Sequence, residues 1–302
     1  MSTLVKAPRK KKNYRNRMTT FDYINYVILV LCAIIAIYPI FYVLIGSFSN
    51  GESYMSGGVW LVPRDFTFSN YKVILSDKTL WYAFRNTILK TTIGTVSSLL
   101  FTSTVAYAMS RKNLKFKKVI RILNIFTMFF GGGLIPYFVL INYLGLFDNF
   151  LVYIVPSLYS VYNMIILTSF FSSISDELHE SAIVEGANEL QIFIRIYMPL
   201  SKPVLATVAL WSAVGHWNSY FSTMIYTNGQ NNLITLQYYL MGVINKASYT
   251  ASEAVDPSVL NEVTSKTVSF AAIIVATLPI LFVYPFLQKY FTKGALLGAT
   301  KG

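Results

Sequence analysis

The sequence predicts an all-α, polytopic membrane protein with six transmembrane helices. Of its 302 residues, 54% are hydrophobic and only 13% are charged, which is more apolar than the core of a soluble domain requires. Apolar stretches long enough to cross a hydrocarbon layer recur along the chain, and basic residues concentrate beside alternate stretches. Together these observations predict a chain that crosses a membrane several times and has both termini in the cytoplasm.

The first 20 residues form a basic segment with seven Lys and Arg residues and no Asp or Glu. A nucleic-acid-binding arm would have this composition, but a basic segment directly before an apolar stretch is typical of a cytoplasmic anchor. The apolar stretch from Ile24 to Ile45 is too long for the core of a signal peptide, so it predicts the first transmembrane helix. This helix and the outer loop after it make up residues 21–81.

Five further transmembrane helices are predicted within residues 82–290, and a second cytoplasmic tail follows at residues 291–302. The predicted spans are Tyr82 to Met109, Val119 to Leu144, Phe150 to Phe171, Val204 to Tyr226 and Thr267 to Tyr290. With this topology the cytoplasmic segments contain 18 Lys and Arg residues and the outer loops contain five, which supports the orientation. Since the chain has one cysteine, Cys32, and two histidines, we expect neither an internal disulfide nor a metal site.

A polar segment, residues 172–203, separates the fourth and fifth predicted spans and contains five of the 13 acidic residues. Ser173 predicts the start of a short helix, Gly186 predicts its left-handed end, and Asn188 with Gln191 predicts the start of a second helix. The second helix would have an apolar face without a partner in this chain, formed by Leu190, Phe193, Ile194 and Tyr197. We call residues 172–203 the hairpin.

The hairpin carries a recognisable signature. Its sequence resembles the E-A-A-x-x-x-G signature, ending I-x-L-P, of permease subunits of ABC importers, although Ser181 replaces the first alanine and Met198 the leucine. An ordinary cytoplasmic connector between two spans is the alternative. The resemblance implies a coupling helix that docks on a separate ATPase through Glu180, Ser181, Ala182, Gly186, Ala187, Phe193, Ile196 and Pro199.

Other stretches resemble the carbohydrate, maltose-type branch of this family. They are FTFSNYKVIL from Phe66, AYAMSR from Ala106, the Trp217–Asn218 pair and the C-terminal stretch from Tyr284, and FGGGLIP resembles permeases for complex oligosaccharides. The resemblance implies a bacterial cytoplasmic membrane protein that passes an oligosaccharide. It also implies three partners: a second homologous permease, a cytoplasmic ABC ATPase dimer that binds ATP and Mg²⁺, and an extracellular solute-binding protein. No nucleic acid partner and no cofactor in this chain are expected.

A run of three glycines interrupts the third predicted span. Gly131, Gly132 and Gly133 lie about ten residues from its cytoplasmic start and precede Pro136, so they predict a broken helix near the middle of the membrane. A broken helix at this depth would line a translocation path. Alternatively, the glycines allow two helices to approach closely.

Polar and aromatic residues near the outer end of the fifth predicted span form a second candidate for the path. His216, Trp217, Asn218 and Tyr220 offer ring faces and hydrogen-bonding groups, which a sugar requires, although an aromatic belt at the membrane interface has the same composition. Asn163 in the fourth span is a further candidate, with a hydrogen bond between helices as the alternative.

The sequence contains no pattern for hydrolytic chemistry. It lacks the phosphate-binding loop G-x-x-x-x-G-K-[ST], so we expect a transport subunit and not an enzyme. Lys90 is expected to lie at the outer membrane boundary and to extend its ammonium into water. Two alternatives stay open: an ABC importer permease for a non-sugar solute, and a secondary transporter, which would require ionisable groups inside the membrane.

Overall fold

The computed structural model of the protein describes residues 20–229, 232–245 and 262–299. Within these ranges the chain is helical, and its only β-type pairing is an isolated bridge between Ser49 and Phe66. The predicted basic segment before Thr20, part of the second outer loop and the end of the C-terminal tail lie outside the described residues. The all-α prediction is therefore confirmed for the part of the chain that the structure describes.

The described residues contain α-helices of very different lengths. In chain order they are α1 (Thr20–Ser47), α2 (Gly51–Met55), α3 (Ser69–Ser76), α4 (Lys78–Ser110), α5 (Lys117–Phe129), α6 (Leu134–Tyr143), α7 (Val161–Phe171), α8 (Asp176–Val184), α9 (Glu189–Ile192), α10 (Met198–Leu200), α11 (Lys202–Asn218), α12 (Phe221–Tyr226), α13 (Leu236–Asn245) and α14 (Ser265–Ala299). Helices α1, α4 and the Ser265–Phe282 part of α14 are each long and apolar enough to cross a membrane. Three pairs of bent helices raise the number of candidate spans to six.

The third predicted span is the most sharply bent. Helices α5 and α6 meet at 112° across the break that contains the three glycines. Gly133 has φ of +85°, a left-handed conformation that glycine adopts without strain, and it immediately precedes α6. Pro136 lies in the first turn of α6, where its missing N–H leaves no intrahelical bond unmade. The predicted broken helix is confirmed.

Two other predicted spans, Phe150 to Phe171 and Val204 to Tyr226, are also interrupted, which the sequence did not lead us to expect. The first consists of two short 3₁₀ segments, Phe150–Tyr153 and Val155–Ser157, followed by α7 at a 46° bend. The second divides into α11 and α12, because Ser219 adopts an extended conformation between them. Such irregular backbone suits a place where helices border a cavity.

Helix α4 lies at the centre of the packing. It packs against α7 and α11, while α14 packs against α1, α11 and α13. One apolar cluster joins the C-terminal half of α4 to α7, α11 and the hairpin; its buried members include Ala106, Met164, Leu167, Phe171, Leu205 and Val208. Helices α4, α7 and α11 and the hairpin therefore share one apolar core.

Helix α1 lies apart from that core. Its side chains from Phe21 to Leu44 are largely exposed, and burial begins only at Ile45, Gly46 and Ser47. Gly46 allows a close approach here, because a Cβ atom at this position would lie 2.4 Å from a ring carbon of Phe270 in α14. Since α1 is apolar on all sides, we interpret its exposed surface as one that contacts lipid or another chain.

Candidate functional site

The hairpin forms two short helical arms joined at Gly186. Arm α8 begins after Ser175, whose Oγ accepts a hydrogen bond from the backbone N–H of Glu177 at 3.3 Å. The prediction that Ser173 caps this arm was wrong, because the Ser173 hydroxyl donates instead to the Phe170 carbonyl at 2.7 Å. The Ser173 hydroxyl therefore bonds a carbonyl in the last turn of α7 and does not cap α8.

The turn and the second arm follow the sequence prediction. Gly186 has φ of +84° and ends α8. Asn188 and Gln191 form a capping box in which each side chain accepts a hydrogen bond of 2.9 Å from the backbone N–H of the other. After α9, residues Phe193–Tyr197 form a π-helix, and the arm then meets α11 at 84°. The arm therefore crosses the end of α11 instead of extending it.

An aromatic cluster attaches the hairpin to the rest of the chain. Phe193 and Tyr197 from the second arm pack against Tyr107 near the end of α4, with ring centroids 5.1 and 4.9 Å away, and Phe171 lies 5.9 Å from Tyr197. Tyr197 is 0% exposed and Phe193 is 6% exposed. The prediction of an unpartnered apolar face was therefore wrong for these two residues, because α4 supplies their partner.

Polar contacts surround this aromatic cluster. Arg111 donates to the Tyr197 hydroxyl at 2.6 Å, and its guanidinium carbon lies 4.7 and 5.1 Å from the ring centroids of Tyr197 and Tyr107. The Tyr107 hydroxyl donates to the Glu189 carboxylate, which also lies 3.1 Å from Nε2 of His179. These contacts join α4, α8 and α9 into one unit.

An exposed ion pair adds a second link between the hairpin and the end of α4. Nζ of Lys112 lies 2.5 Å from Oδ2 of Asp176. The hydrogen bond from the Lys112 ammonium holds the pKa of the Asp176 carboxyl below its ordinary value. Because the pair is exposed to solvent, we expect it to contribute little to stability.

Several apolar residues of the hairpin are exposed. Val184, Leu190 and Ile194 are 88%, 64% and 54% exposed. The signature residues differ in burial: the exposed ones are Glu180, Ser181, Gly186 and Pro199, the half-buried ones are Ala187 and Ile196, and the buried ones are Ala182 and Phe193. We call Val184, Leu190 and Ile194 the exposed hairpin face.

A cavity of about 350 Å³ lies among α4, α7, α11 and the 3₁₀ segments that precede α7. Many of its lining residues carry neutral groups that can donate or accept hydrogen bonds, and two of them are tyrosines, although most of the lining surface itself is apolar. The lining residues that carry such groups are Ser98, Tyr153, Ser157, Tyr159, Ser160, Asn163, Ser212, His216, Ser219 and Ser222. Such a surface, apolar with hydrogen-bonding groups set in it, suits a ligand that has both apolar faces and polar groups.

Lys90 also lines this cavity, contrary to the prediction that it reaches water at the membrane boundary. Its side chain is buried, with the residue 1% exposed, and Nζ donates to the Ser219 carbonyl at 3.0 Å and lies 4.8 Å from the ring centroid of Tyr153. The neighbouring turn of α4 explains this burial. Asn86 donates to the Ile234 carbonyl and Thr87 accepts from a backbone N–H nearby, so the chain before α13 covers this part of α4.

His216 and Asn163 are the predicted path residues that the structure brings to the cavity. His216 packs directly on α4 at Gly94, where a Cβ atom would lie 2.4 Å from Cε1 of the imidazole. Any larger residue than glycine at this position would therefore displace the imidazole or separate α4 from α11.

The remaining predicted path residues lie outside the cavity lining. Trp217 turns toward α14, where its Nε1 donates to the Ala276 carbonyl at 3.3 Å. Asn218 is exposed at the end of α11, and Tyr220 is half-buried before α12. The three glycines are exposed at the α5–α6 break, where no side chain crowds Gly131 or Gly133 within 4 Å.

Sequence reasoning missed that one polar stripe of α4 faces inward. Asn86, Lys90, Gly94, Ser98 and Thr102 recur at every fourth residue, and all five are buried. Positions four residues apart lie on one face of an α-helix, so this spacing in an otherwise apolar helix was the available signal. It would have placed Lys90 inside the protein.

The sequence matches the family described as "Binding-protein-dependent transport system inner membrane component" over residues 98–296. It is similar to the "Polygalacturonan/rhamnogalacturonan transport system permease protein YtcP" of Bacillus subtilis (strain 168), with 36% identity over 288 residues that cover 95% of this chain and 100% of the relative. It is also similar to "Protein LplC" of the same organism, with 38% identity over 283 residues, 93% of this chain and 95% of the relative.

The fold is similar to that of a chain in the "Crystal structure of a bacterial ABC transporter involved in the import of the acidic polysaccharide alginate". The two chains superpose with a TM-score of 0.84 and are 38% identical, and the match covers 90% of this chain and 96% of the other. The similarity therefore extends well beyond the hairpin, to the helices that surround the cavity.

Proposed function

The chain belongs to the family of binding-protein-dependent transport system inner membrane components, and from this premise we propose that it forms the translocation path for an oligosaccharide in an ATP-driven ABC importer. The observation that carries the proposal is the cavity among α4, α7 and α11. Saccharide hydroxyls require many hydrogen-bonding partners, and their C–H faces pack on aromatic rings. The cavity offers hydroxyl, amide and imidazole groups beside Tyr153 and Tyr159.

Membership of this family implies a multi-pass inner-membrane subunit that works with an ATPase, a second permease and a solute-binding protein. We infer that the six spans predicted from the sequence cross the membrane with both termini in the cytoplasm, and that ATP and Mg²⁺ bind to the ATPase. The division into a basic tail (1–20), a first helix with its loop (21–81), a five-helix core (82–290) and a C-terminal tail (291–302) is part of this proposal.

The hairpin is proposed to be the element that docks on the ATPase. Its exposed face is apolar although it lies in a polar, acidic segment, which supports a protein contact there. The signature residues Glu180, Ser181, Gly186 and Pro199 are exposed beside this face and are proposed to shape the contact. Buried Phe193 is proposed to transmit movement instead of touching the ATPase.

Helix α4 offers a direct route from the hairpin to the cavity. Tyr107 and Arg111 at its end hold the hairpin, while Ser98 and Lys90 farther along the same helix line the cavity. A helix transmits displacement along its axis because its backbone hydrogen bonds resist stretching. We infer that closure of the ATPase around ATP moves the hairpin, tilts α4 and changes access to the cavity.

The exposed candidates are proposed to border the path where the second permease completes it. Gly131 to Gly133 at the α5–α6 break, together with Asn218, have free surface that another chain would cover. His216 and Asn163 are proposed to contact the oligosaccharide directly, while Trp217 and Tyr220 position the end of α11.

Reconstitution into proteoliposomes tests the proposal. We expect uptake of a radiolabelled oligosaccharide only when this chain, a second permease, the ATPase, internal ATP and the binding protein are all present. Uptake by this chain alone, driven by an ion gradient, would identify a secondary transporter. ATP-dependent uptake of a non-sugar solute, with none of any oligosaccharide, would overturn the sugar assignment alone.

A further inference from the structure

We propose that Lys90 is a specificity-determining residue that binds a carboxylate of the transported saccharide, so that the importer accepts an oligosaccharide containing uronic acid. The inference rests on the proposed function and deepens it by naming the substrate class. It is carried by one juxtaposition: a buried ammonium at the wall of a cavity that no described carboxylate lines and that also carries hydroxyl, amide and imidazole groups, tyrosine rings and apolar side chains.

Among the residues that the structure describes, Lys90 has no counter-charge. Two described ion pairs, Lys112 with Asp176 and His179 with Glu189, have their carboxylates on the hairpin. No described carboxylate lies within ion-pair distance of Lys90, and none lines the cavity. Burying a cation without a carboxylate is costly, and in a membrane-spanning helix such a residue is by default a candidate for a functional contact.

The contacts that Lys90 does make leave room for a ligand. An ammonium has three N–H donors, and the bond to the Ser219 carbonyl uses one of them. The Tyr153 ring faces the ammonium at 4.8 Å, which stabilises the cation without neutralising it. The remaining N–H donors of the Lys90 ammonium and its formal charge are therefore available to an anion in the cavity.

A purely structural role does not require the charge. The bond to Ser219 satisfies a carbonyl where α11 ends, and a neutral amide donor can satisfy a carbonyl equally well. The charged ammonium can instead form an ion pair with a carboxylate of a bound sugar. The surrounding hydroxyl and amide groups can bond the hydroxyls of the same sugar.

The test uses the complete transporter in proteoliposomes with its binding protein. The probes are a galacturonic acid oligosaccharide, its methyl ester and a neutral galactose oligosaccharide, each radiolabelled. The variants are Lys90→Gln, which retains a donor for Ser219, Lys90→Met, which retains the length, and Lys90→Arg, which retains the charge. The matched control is Lys72→Met, because Lys72 is an exposed lysine on α3. Uptake by each variant is divided by wild-type uptake of the same probe, which cancels the preference of the binding protein.

We expect Lys90→Gln and Lys90→Met to lower uptake of the acid at least about tenfold, as loss of a charged hydrogen bond implies. Uptake of the ester should change less than about twofold, Lys90→Arg should retain uptake of the acid, and the control should resemble wild type. Unchanged uptake of the acid, or equal loss for acid and ester, would overturn the proposal. Failure of both neutral variants to assemble with the partner subunits would also overturn it, by assigning Lys90 to structure.

Two results in the wild type separate this inference from the proposed function. Uptake of the neutral oligosaccharide without uptake of the acid would overturn the substrate class and leave the importer assignment intact. No ATP-dependent uptake of any saccharide would overturn the proposed function itself.

Discussion

The hairpin and the cavity both border α4, at two positions along its length, and they differ in whether their charged side chains have partners. At the hairpin, Arg111 stacks on two tyrosine rings and Glu189 accepts from Tyr107, so both charged groups have a partner. At the cavity, about 25 Å away along α4, the partners of Lys90 among the described residues are a carbonyl and a ring. We infer that paired charges stabilise the contact between the hairpin and α4, whereas the Lys90 ammonium is available to bind a ligand.

Removal of the aromatic anchor should have the largest effect. Phe193→Ala deletes a buried ring that packs on Tyr107, and truncation of this kind costs about 3–5 kcal/mol. We expect a lower melting temperature of the purified transporter and loss of uptake. The matched control, Tyr143→Ala, removes a ring that is 85% exposed. Equal melting temperatures for the two variants would contradict the role of Phe193 as an anchor.

A charge on the exposed hairpin face should separate docking from stability. Leu190→Asp places a carboxylate where we propose the ATPase binds, so ATPase activity stimulated by the loaded binding protein should fall more than about tenfold. The melting temperature of the isolated chain should stay the same, because Leu190 is 64% exposed. Ser172→Asp adds a charge at another exposed position of the hairpin and serves as control. Normal stimulation by the Leu190 variant would exclude this face as the docking surface.

A smaller and more local effect is expected at the cavity wall. Gly94→Ala would bring a methyl group within 2.4 Å of the His216 imidazole, and such overpacking costs about 1–3 kcal/mol. We expect several-fold lower uptake with little loss of assembly. Gly215→Ala is the matched control, because Gly215 also lines the cavity yet has no neighbour within 4 Å of an added Cβ. Similar uptake by both variants would show that the position of His216 is unimportant.

The exposed Lys112–Asp176 ion pair should give the smallest effect. Since the pKa of Asp176 is lowered in the folded protein, the stability that the pair contributes is present above the ordinary aspartate pKa of about 4 and is lost as the pH falls through the lowered value. Lys112→Ala should therefore change the melting temperature slightly at pH 7 and not at all in strong acid. A large loss of uptake at pH 7 would show that this pair couples the hairpin to α4.

The same comparison explains what could be predicted from the sequence. Gly186 and the Asn188–Gln191 capping box depend on neighbours within a few residues, so the hairpin turn was predictable. The burial of Lys90 depends on a segment far along the chain, since Asn86 bonds the carbonyl of Ile234. Hydropathy does not identify this contact, although the four-residue spacing of polar residues along α4 indicates which side of the helix faces inward.

The exposure of the hairpin residues was predictable only in part. Residues Phe193 and Ile194 are adjacent and similarly apolar, yet one is buried against Tyr107 and the other is exposed. The π-helix from Phe193 to Tyr197 changes which side chains share a face. The prediction assumed the 3.6-residue period of an α-helix and therefore placed these residues on the same face. The signature identified the segment but could not distinguish its buried residues from its exposed ones.

The most direct test of the central claim is the accessibility of the cavity during transport. Because Cys32 is the chain's single cysteine, Cys32→Ser provides a background in which Ser212→Cys places one thiol at the cavity wall. We predict that a membrane-impermeant maleimide labels this thiol in the assembled transporter, that trapping the ATPase with ATP changes the side of the membrane from which it reacts, and that a transported oligosaccharide protects it. A thiol that never reacts from either side would contradict the claim that this cavity belongs to the translocation path.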